Sequence, residues 1–454
     1  MLKQAAPVIT DRVLSNKKIF STWWPLAASW MLMAMELPAL SAVIARLPNP
    51  EIHLAAWGGV IFPVSLIIEA PIIMLLAAST ALSKDWDSYA KLRRFMLVSS
   101  AVLMCVHILV AFTPLYYFIV GTIIGAPAEV IEPARPGLMF MTVWTWAIAY
   151  RRLNQGVLIR FGHSQSIGTG TIVRLVVDVS VLIAGAALGT IPGATLAGMA
   201  VGAGVVAEAA YTGFRVRPVI RDELKPIRPD NEPLTLPAFI DFYIPLALTS
   251  LLHLLIQPLG GAALSRMPEA LFSLAIWPVV GGLVFVFRGP GVAFNEVMVA
   301  LLHEPGAYLR LKRFAFGLIG AVSMLLLLMT ATPLARFWFT SFSGLAPELS
   351  ALAQQAVWFA LPMPALNVLV SFYQGILVHS RRTRGITEAI AIFIVSALIV
   401  FGIGVRSGKM TGIFVGWIAF GTGSFLQTIW LWYRSIKPRR RLCTPIGESA
   451  PVKS

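Results

Sequence analysis

Two cysteines in 454 residues, Cys105 and Cys443, are too few for a disulfide framework or a thiolate metal cluster. Charge is scarce too: 13% of residues are Asp, Glu, Lys or Arg, against roughly a quarter in an ordinary soluble domain. No G-x-x-x-x-G-K-[ST] phosphate loop occurs, which argues against direct use of ATP. The first 16 residues are mixed polar and apolar, and the apolar run that begins near Ile19 outlasts signal length, so no cleavable signal peptide is expected. No cluster of catalytic side chains is recognisable at one depth, so neither an enzyme nor a cofactor or metal site is expected.

What the chain does have is apolar surface. Apolar side chains make up 57% of residues and the mean hydropathy is +0.78. At roughly 20 residues per crossing, the apolar runs provide about a dozen membrane helices and leave no room for a large soluble domain. The reading is an all-α membrane protein of twelve transmembrane helices, six before residue 215 and six after residue 237.

The net charge of +15 would suggest nucleic acid as a partner in a soluble chain. Here its distribution points to topology. Of 36 Lys and Arg, 28 fall on the side that holds both ends of the chain, six on the opposite side, and Arg174 and Arg288 within helices. Under the positive-inside rule both termini are cytoplasmic, in a plasma (inner) membrane, and the basic clusters interact with anionic lipid. No nucleic-acid partner is expected.

The segment 215–237 is rich in Pro, Arg and acidic residues and reads as a cytoplasmic linker. It joins an N-terminal six-helix lobe, 1–214, to a C-terminal one, 238–434, and a basic cytoplasmic tail, 435–454, follows. The lobes are copies. At an offset of 220, Pro25, Pro38, Arg46 and Pro48 fall on Pro245, Pro258, Arg266 and Pro268. At 219, Gln155-Gly156 falls on Gln374-Gly375, and Gly185, Gly189 and Gly193 on Gly404, Gly408 and Gly412. An even number of helices per copy makes the repeats parallel, with a central cleft between them. The shared glycines read as close-packing sites; Pro38 and Pro258 mark places where the first helix of each lobe can bend.

Ionisable groups at membrane depth mark candidate sites. Glu36 lies two residues before Pro38 with no charged partner on its own helix, and is a candidate titrating group. Arg174 and Asp178 are four apart on helix 5, which suits either a self-neutralising ion pair or a carboxyl whose proton exchange an arginine governs. Glu69 precedes Pro71, and Arg288 stands at the matching place before Pro290. That exchange reads either as a lobe-to-lobe salt bridge or as a gate or anion contact. Gln257 and Asn367 could line a polar cavity or bridge helices. His107 and His253 read as core histidines, and Asp85-Trp86-Asp87 is too short a signal to indicate sugar-nucleotide chemistry.

The two-lobe plan, the proline in each first helix, and the Gln-Gly pair ending each fourth helix before a basic loop carry a family resemblance. The chain resembles the multidrug and toxin extrusion (MATE) and lipid-linked oligosaccharide flippase superfamily. Through Pro245-Leu246-Ala247-Leu248, Pro258, Ser265-Arg266 and Leu54-Ala55-Ala56-Trp57-Gly58 it looks similar to the progressive ankylosis (ANK) branch, associated with export of anions. The resemblance implies a cation site of acidic residues on helices 1 and 5, which maps to Glu36 and Asp178. Arg174 departs from the family pattern and disfavours sodium relative to a proton.

The expectation is a monomeric secondary transporter that exports a polar organic substrate, anionic in one reading, by proton-coupled alternating access. Glu36, Asp178 and Arg174 would handle the proton; Glu69, Arg288, Gln257 and Asn367 would contact substrate or form a gate. A lipid-linked precursor flippase is the alternative.

Overall fold

The computed structural model describes residues 14–227 and 234–443, so part of the linker and most of the expected tail lie outside the described residues. Within them every regular element is a helix. The first lobe comprises α1 (Asn16–Ile44), α2 (Pro50–Leu82), α3 (Trp86–Phe112), α4 (Ala128–Phe140 and Thr142–Arg160), α5 (Gln165–Leu188) and α6 (Gly193–Leu224). The second comprises α7 (Leu236–Leu264), α8 (Ala270–Leu301), α9 (Ala307–Ala331), α10 (Pro347–His379), α11 (Arg384–Ser407) and α12 (Gly412–Arg434). A short basic helix, α13 (Ile436–Cys443), follows.

Eleven of the twelve rods are long and apolar enough to cross a membrane. The remaining one, α4, carries Arg135, Arg151 and Arg152, and those charges lower its hydropathy.

The doubling is visible in the backbone. Helices α5 and α11 have bounds offset by 219 at both ends. Positive-φ residues repeat as well: Gly125 with Gly344, Gly189 with Gly408, and Asn49 with Glu269. Each third helix is followed by a second short piece ending in a wider π-helical turn, Phe118–Ile124 in one lobe and Phe337–Phe342 in the other. The first turn stops at Gly125 and the second is followed, after Ser343, by Gly344; both glycines take the left-handed conformation that glycine enters without strain.

The lobes meet where equivalent helices approach. A Cβ on Gly58 of α2 would lie 2.6 Å from Pro278 of α8, and 58 and 278 are themselves equivalents at the 220 offset. This contact marks the pseudo-twofold axis on the side away from the termini. Two arginines clamp the same side. Arg46 donates across to Ser341 O at 2.6 Å and Phe342 O at 2.9 Å, and its equivalent Arg266 donates to Ile124 O at 2.6 Å and Ile123 O at 2.8 Å. Each guanidinium caps free carbonyls at the end of the opposite lobe's π-helical turn.

The repeated prolines act differently. Pro38 has no N–H to give the preceding turn, and α1 breaks at Met35. The first half of α1 then leans on α8, with Trp23 Nε1 donating to Pro290 O at 2.9 Å. Helix α7 runs through Pro245 and Pro258 without a break. Helix α6 extends to Leu224, inside the segment expected as linker, because Leu224 is buried and Glu223 holds His163 at 2.6 Å.

Candidate functional site

The break in α1 delivers Glu36 to α5, where it forms an ion pair with Arg174. Arg174 also approaches Glu208 of α6 at 3.8 Å. Glu208, whose side chain is 1% exposed, is bound by Arg151 of α4 and accepts from Gln155 Nε2 at 3.1 Å. Arg152 lies in the field of Arg151, Arg174, Glu208 and Glu69. Glu69 is fully buried beside Thr145, in the field of both α4 arginines but outside ion-pair distance of either.

Asp178, like Glu69, is a buried carboxyl without a hydrogen-bond donor. It is 2% exposed, and neither oxygen accepts a hydrogen bond from the protein. Its charged neighbours are Glu36, Arg174 and Glu208, and the Glu36 carboxyl is within hydrogen-bonding reach of it. Gly204 of α6 makes the space: a Cβ there would overlap the Asp178 carboxylate. The first lobe thus holds four carboxyl groups, Glu36, Glu69, Asp178 and Glu208, among three guanidiniums, Arg151, Arg152 and Arg174.

Of the two readings of Arg174 and Asp178, the self-contained pair is therefore not what forms. Although one turn apart on α5, Arg174 turns to Glu36 and Glu208, whose carboxylates reach it from α1 and α6. Glu36, without a partner on its own helix, has one from α5.

The second lobe contains a cavity of about 340 Å³ lined by Arg288, Asn295, Asn367, Gln374, His253 and Trp30, among others. Arg288 Nε and Asn367 Oδ1 have no hydrogen-bond partner, while Asn295 Nδ2 donates to Gln374 Oε1 at 3.2 Å. No carboxylate among the described residues lies within ion-pair distance of Arg288. On the same helix, Glu296 is two turns away, about 12 Å at 1.5 Å per residue, and accepts from Trp30 Nε1 at 3.1 Å.

The two sites occupy the same place in their repeats. At the 219 offset, Arg152, Gln155 and Glu208 correspond to Ser371, Gln374 and Gln427, and all three of the latter line the second-lobe cavity. Glu69 corresponds to Arg288, Arg174 to Phe393 and Asp178 to Ala397. An ionised cluster in one copy is a neutral amide and hydroxyl wall with a single cation in the other.

Glu69 and Arg288 do not form a lobe-to-lobe pair in this structure; each belongs to its own lobe's site. Asn367 lines the cavity, and Gln257 is half-buried on α7 outside the residues lining it. His107 is a buried core histidine, with Nδ1 3.0 Å from Thr145 Oγ1 and Nε2 without a partner. His253, read as a core residue, instead lines the cavity. The shared glycines of the Gln-Gly pairs are packing sites: Gly156 abuts Ser79 and Gly375 abuts Met298.

Sequence reasoning missed Glu208 and counted Arg151 and Arg152 with the cytoplasmic charges. Glu208 lay in view as a lone carboxylate in an apolar run. Arg151 and Arg152 precede Gln155 by one turn, which places them inside α4 and not after it.

No family model matches the chain, and no curated protein matches it. Solved structures do. The lipid II flippase MurJ in an inward closed conformation superposes with a TM-score of 0.68 at 13% identity, over 92% of this chain and 90% of that one. The Vibrio cholerae MATE transporter VcmN in its bent form gives 0.60 at 15% identity, over 94% and 98%. A MOP superfamily transporter from Pyrococcus furiosus, described as having a binding pocket of reverse polarity, gives 0.60 at 16% identity, over 95% and 98%. The fold is the MATE-like one shared by MATE transporters and MurJ, and the protein is a multi-pass membrane protein. The narrower ankylosis likeness rests on sequence pattern alone.

Proposed function

We propose that this protein is a secondary transporter that exports a polar organic anion by proton-coupled alternating access. The observation that carries the reading is the contrast between the two equivalent sites. Four carboxyls among three buried guanidiniums leave one negative charge in excess. An uncompensated ion at this depth costs several kcal/mol, and a proton on the Glu36/Asp178 pair removes the excess. No donor from the protein lies between those two carboxyls, so a shared proton is the group that suits them.

Arg174 sets when that proton leaves. While it pairs with Glu36 and Glu208, a second ionised carboxylate at position 178 would face two like charges. Movement of α1 about its break at Met35 carries Glu36 away from Arg174 and changes the charge that Asp178 meets. Proton binding and helix geometry are coupled in this way.

In the second lobe, Arg288 presents a guanidinium to a cavity of about 340 Å³ with amide and hydroxyl groups around it and no internal counter-ion. A carboxylate, phosphate or sulfonate on a compact substrate would complete its hydrogen bonds bidentately. Asn367 and Gln427 would orient the remaining polar groups.

Flux measured in proteoliposomes, with and without an imposed pH gradient, tests the reading. Wild-type flux of a substrate anion should follow the gradient. Glu36→Gln combined with Asp178→Asn should remove that dependence. Retention of both flux and its pH dependence in the double variant would refute the coupling, and translocation of a lipid-linked precursor in its place would favour the flippase.

A further inference from the structure

A second basic feature lies beyond the end of α10, on the side of the termini. A cavity of about 450 Å³ is lined by Arg382, Arg384, Arg434 and Lys437 over an apolar floor that includes Leu377 and Ile436. Arg382 also walls a neighbouring cavity of about 230 Å³ under α13. Glu388 is the one carboxylate paired here among the described residues. It is shared between Arg434 Nε at 3.1 Å and Arg384 Nε at 3.4 Å, and also accepts from Trp430 Nε1 at 3.1 Å. Arg382 and Lys437 have no acidic partner among the described residues.

In the equivalent place of the first lobe the corresponding side chains have partners from within the chain. His163, the counterpart of Arg382, is held by Glu223 at 2.6 Å, and Arg215, the counterpart of Arg434, donates to Ser166 Oγ at 3.4 Å. At the position of Glu223 the second lobe has Leu442, and at the position of Gly162 it has Arg381, which takes the left-handed conformation at φ 55°. The second copy has thus lost an acid and gained arginines on the same turn.

The surroundings locate this excess charge at the level of lipid headgroups. Trp432 and Tyr433 are 46% and 58% exposed at the end of α12, as aromatic side chains are at a membrane interface. Arg439 lies 5.3 Å from the Tyr373 ring and 5.5 Å from that of Trp432, which fixes α13 across the helix ends. A basic pocket between helix ends, with an apolar floor and an aromatic rim, suits a phosphodiester whose acyl chains continue into the bilayer.

We infer that the pocket bounded by Arg382, Arg384, Arg434 and Lys437 binds the headgroup of an anionic phospholipid. The inference does not depend on the transport reading. It assigns to the second lobe, from the membrane, an anionic group where the first lobe has the Glu223 carboxylate.

The test uses the full chain, delipidated in detergent and offered phosphatidylglycerol or phosphatidylcholine in mixed micelles, with bound lipid read by native mass spectrometry. Phosphatidylglycerol should be retained and phosphatidylcholine should not. Each basic side chain near an anionic surface contributes about fivefold, so Arg382→Gln with Lys437→Gln should weaken retention about thirtyfold. Arg382→Lys with Lys437→Arg should restore it, and the exposed pair Arg217→Gln with Arg313→Gln should leave it unchanged. If the double glutamine variant does not elute as a single species, Lys437→Gln alone should still show the fivefold loss. Equal retention of both lipids, unchanged retention in the glutamine variants, or full displacement by millimolar inorganic phosphate would overturn the inference.

Discussion

The two lobes are alike in backbone and unlike in charge. They share helix bounds, left-handed turns and the paired clamps of Arg46 and Arg266. At matching positions one holds Glu69, Arg152, Arg174, Asp178 and Glu208 while the other holds Arg288, Ser371, Phe393, Ala397 and Gln427. Shape is therefore carried by glycines and turn residues that both copies keep. Chemistry is carried by buried polar positions that each copy has filled separately.

The largest expected effect separates the lobes by stability. Glu208→Ala strands Arg151 and takes from Arg174 the second of its two carboxylate neighbours, and breaking a buried pair by removing one partner costs about 3–5 kcal/mol. Arg288→Gln strands nothing, so thermal unfolding in detergent should show a large fall for the first variant and none for the second. Equal falls would erase the distinction between a self-compensated cluster and an open cation.

The next effect reverses the order. Truncating one member of a desolvated, hydrogen-bonded charge pair costs about 2–5 kcal/mol of binding. Arg288→Gln should therefore raise the apparent KM for a transported anion by at least about thirtyfold, measured as concentration-dependent flux. Asn367→Ala should do less. A KM unchanged by Arg288→Gln would remove the substrate from this cavity.

A smaller test uses two equivalent glycines. Gly204 abuts the Asp178 carboxylate, and Gly423, at the same place in the second lobe, abuts the Phe393 ring, with Cδ2 2.7 Å from an added Cβ. Overpacking costs about 1–3 kcal/mol at either site, so both alanine variants should lose stability comparably. Only Gly204→Ala should change the pH dependence of flux. The smallest effects belong to Arg46→Gln and Arg266→Gln. Each loses charged hydrogen bonds to carbonyls worth about 1.5–3 kcal/mol when buried and less at this half-exposed depth. Distance measurements between spin labels on the far side should show comparable opening in the two variants.

Much of the fold was legible because its constraints are local. Gly125 and Gly344 sit where a left-handed turn is needed, and Arg46 and Arg266 stand at the same helix end; such residues recur at a fixed offset whatever surrounds them, whereas of the repeated prolines only Pro38 lies beside a break. Glu36, Arg174 and Asp178 were visible as charges at membrane depth, but their pairing was not. Ion pairs between helices depend on which faces meet, and Glu36 meets α5 directly after the break at Met35. Arg151 and Arg152 were misplaced because a cation near a helix end counts equally well toward topology, and only the packing of α4 against α6 shows which way it turns. His253 was misread because spacing cannot tell a core face from a cavity wall.

The central claim is that the excess carboxyl of the first lobe carries a proton, held between Glu36 and Asp178. Infrared spectroscopy of the purified protein at neutral pH tests it without knowledge of the substrate, through the stretching band of a protonated carboxyl. The account predicts that wild type shows this band, that Asp178→Asn abolishes it, and that Glu69→Gln leaves it in place. A wild-type spectrum without the band, or a band that survives Asp178→Asn and disappears with Glu69→Gln, would contradict it.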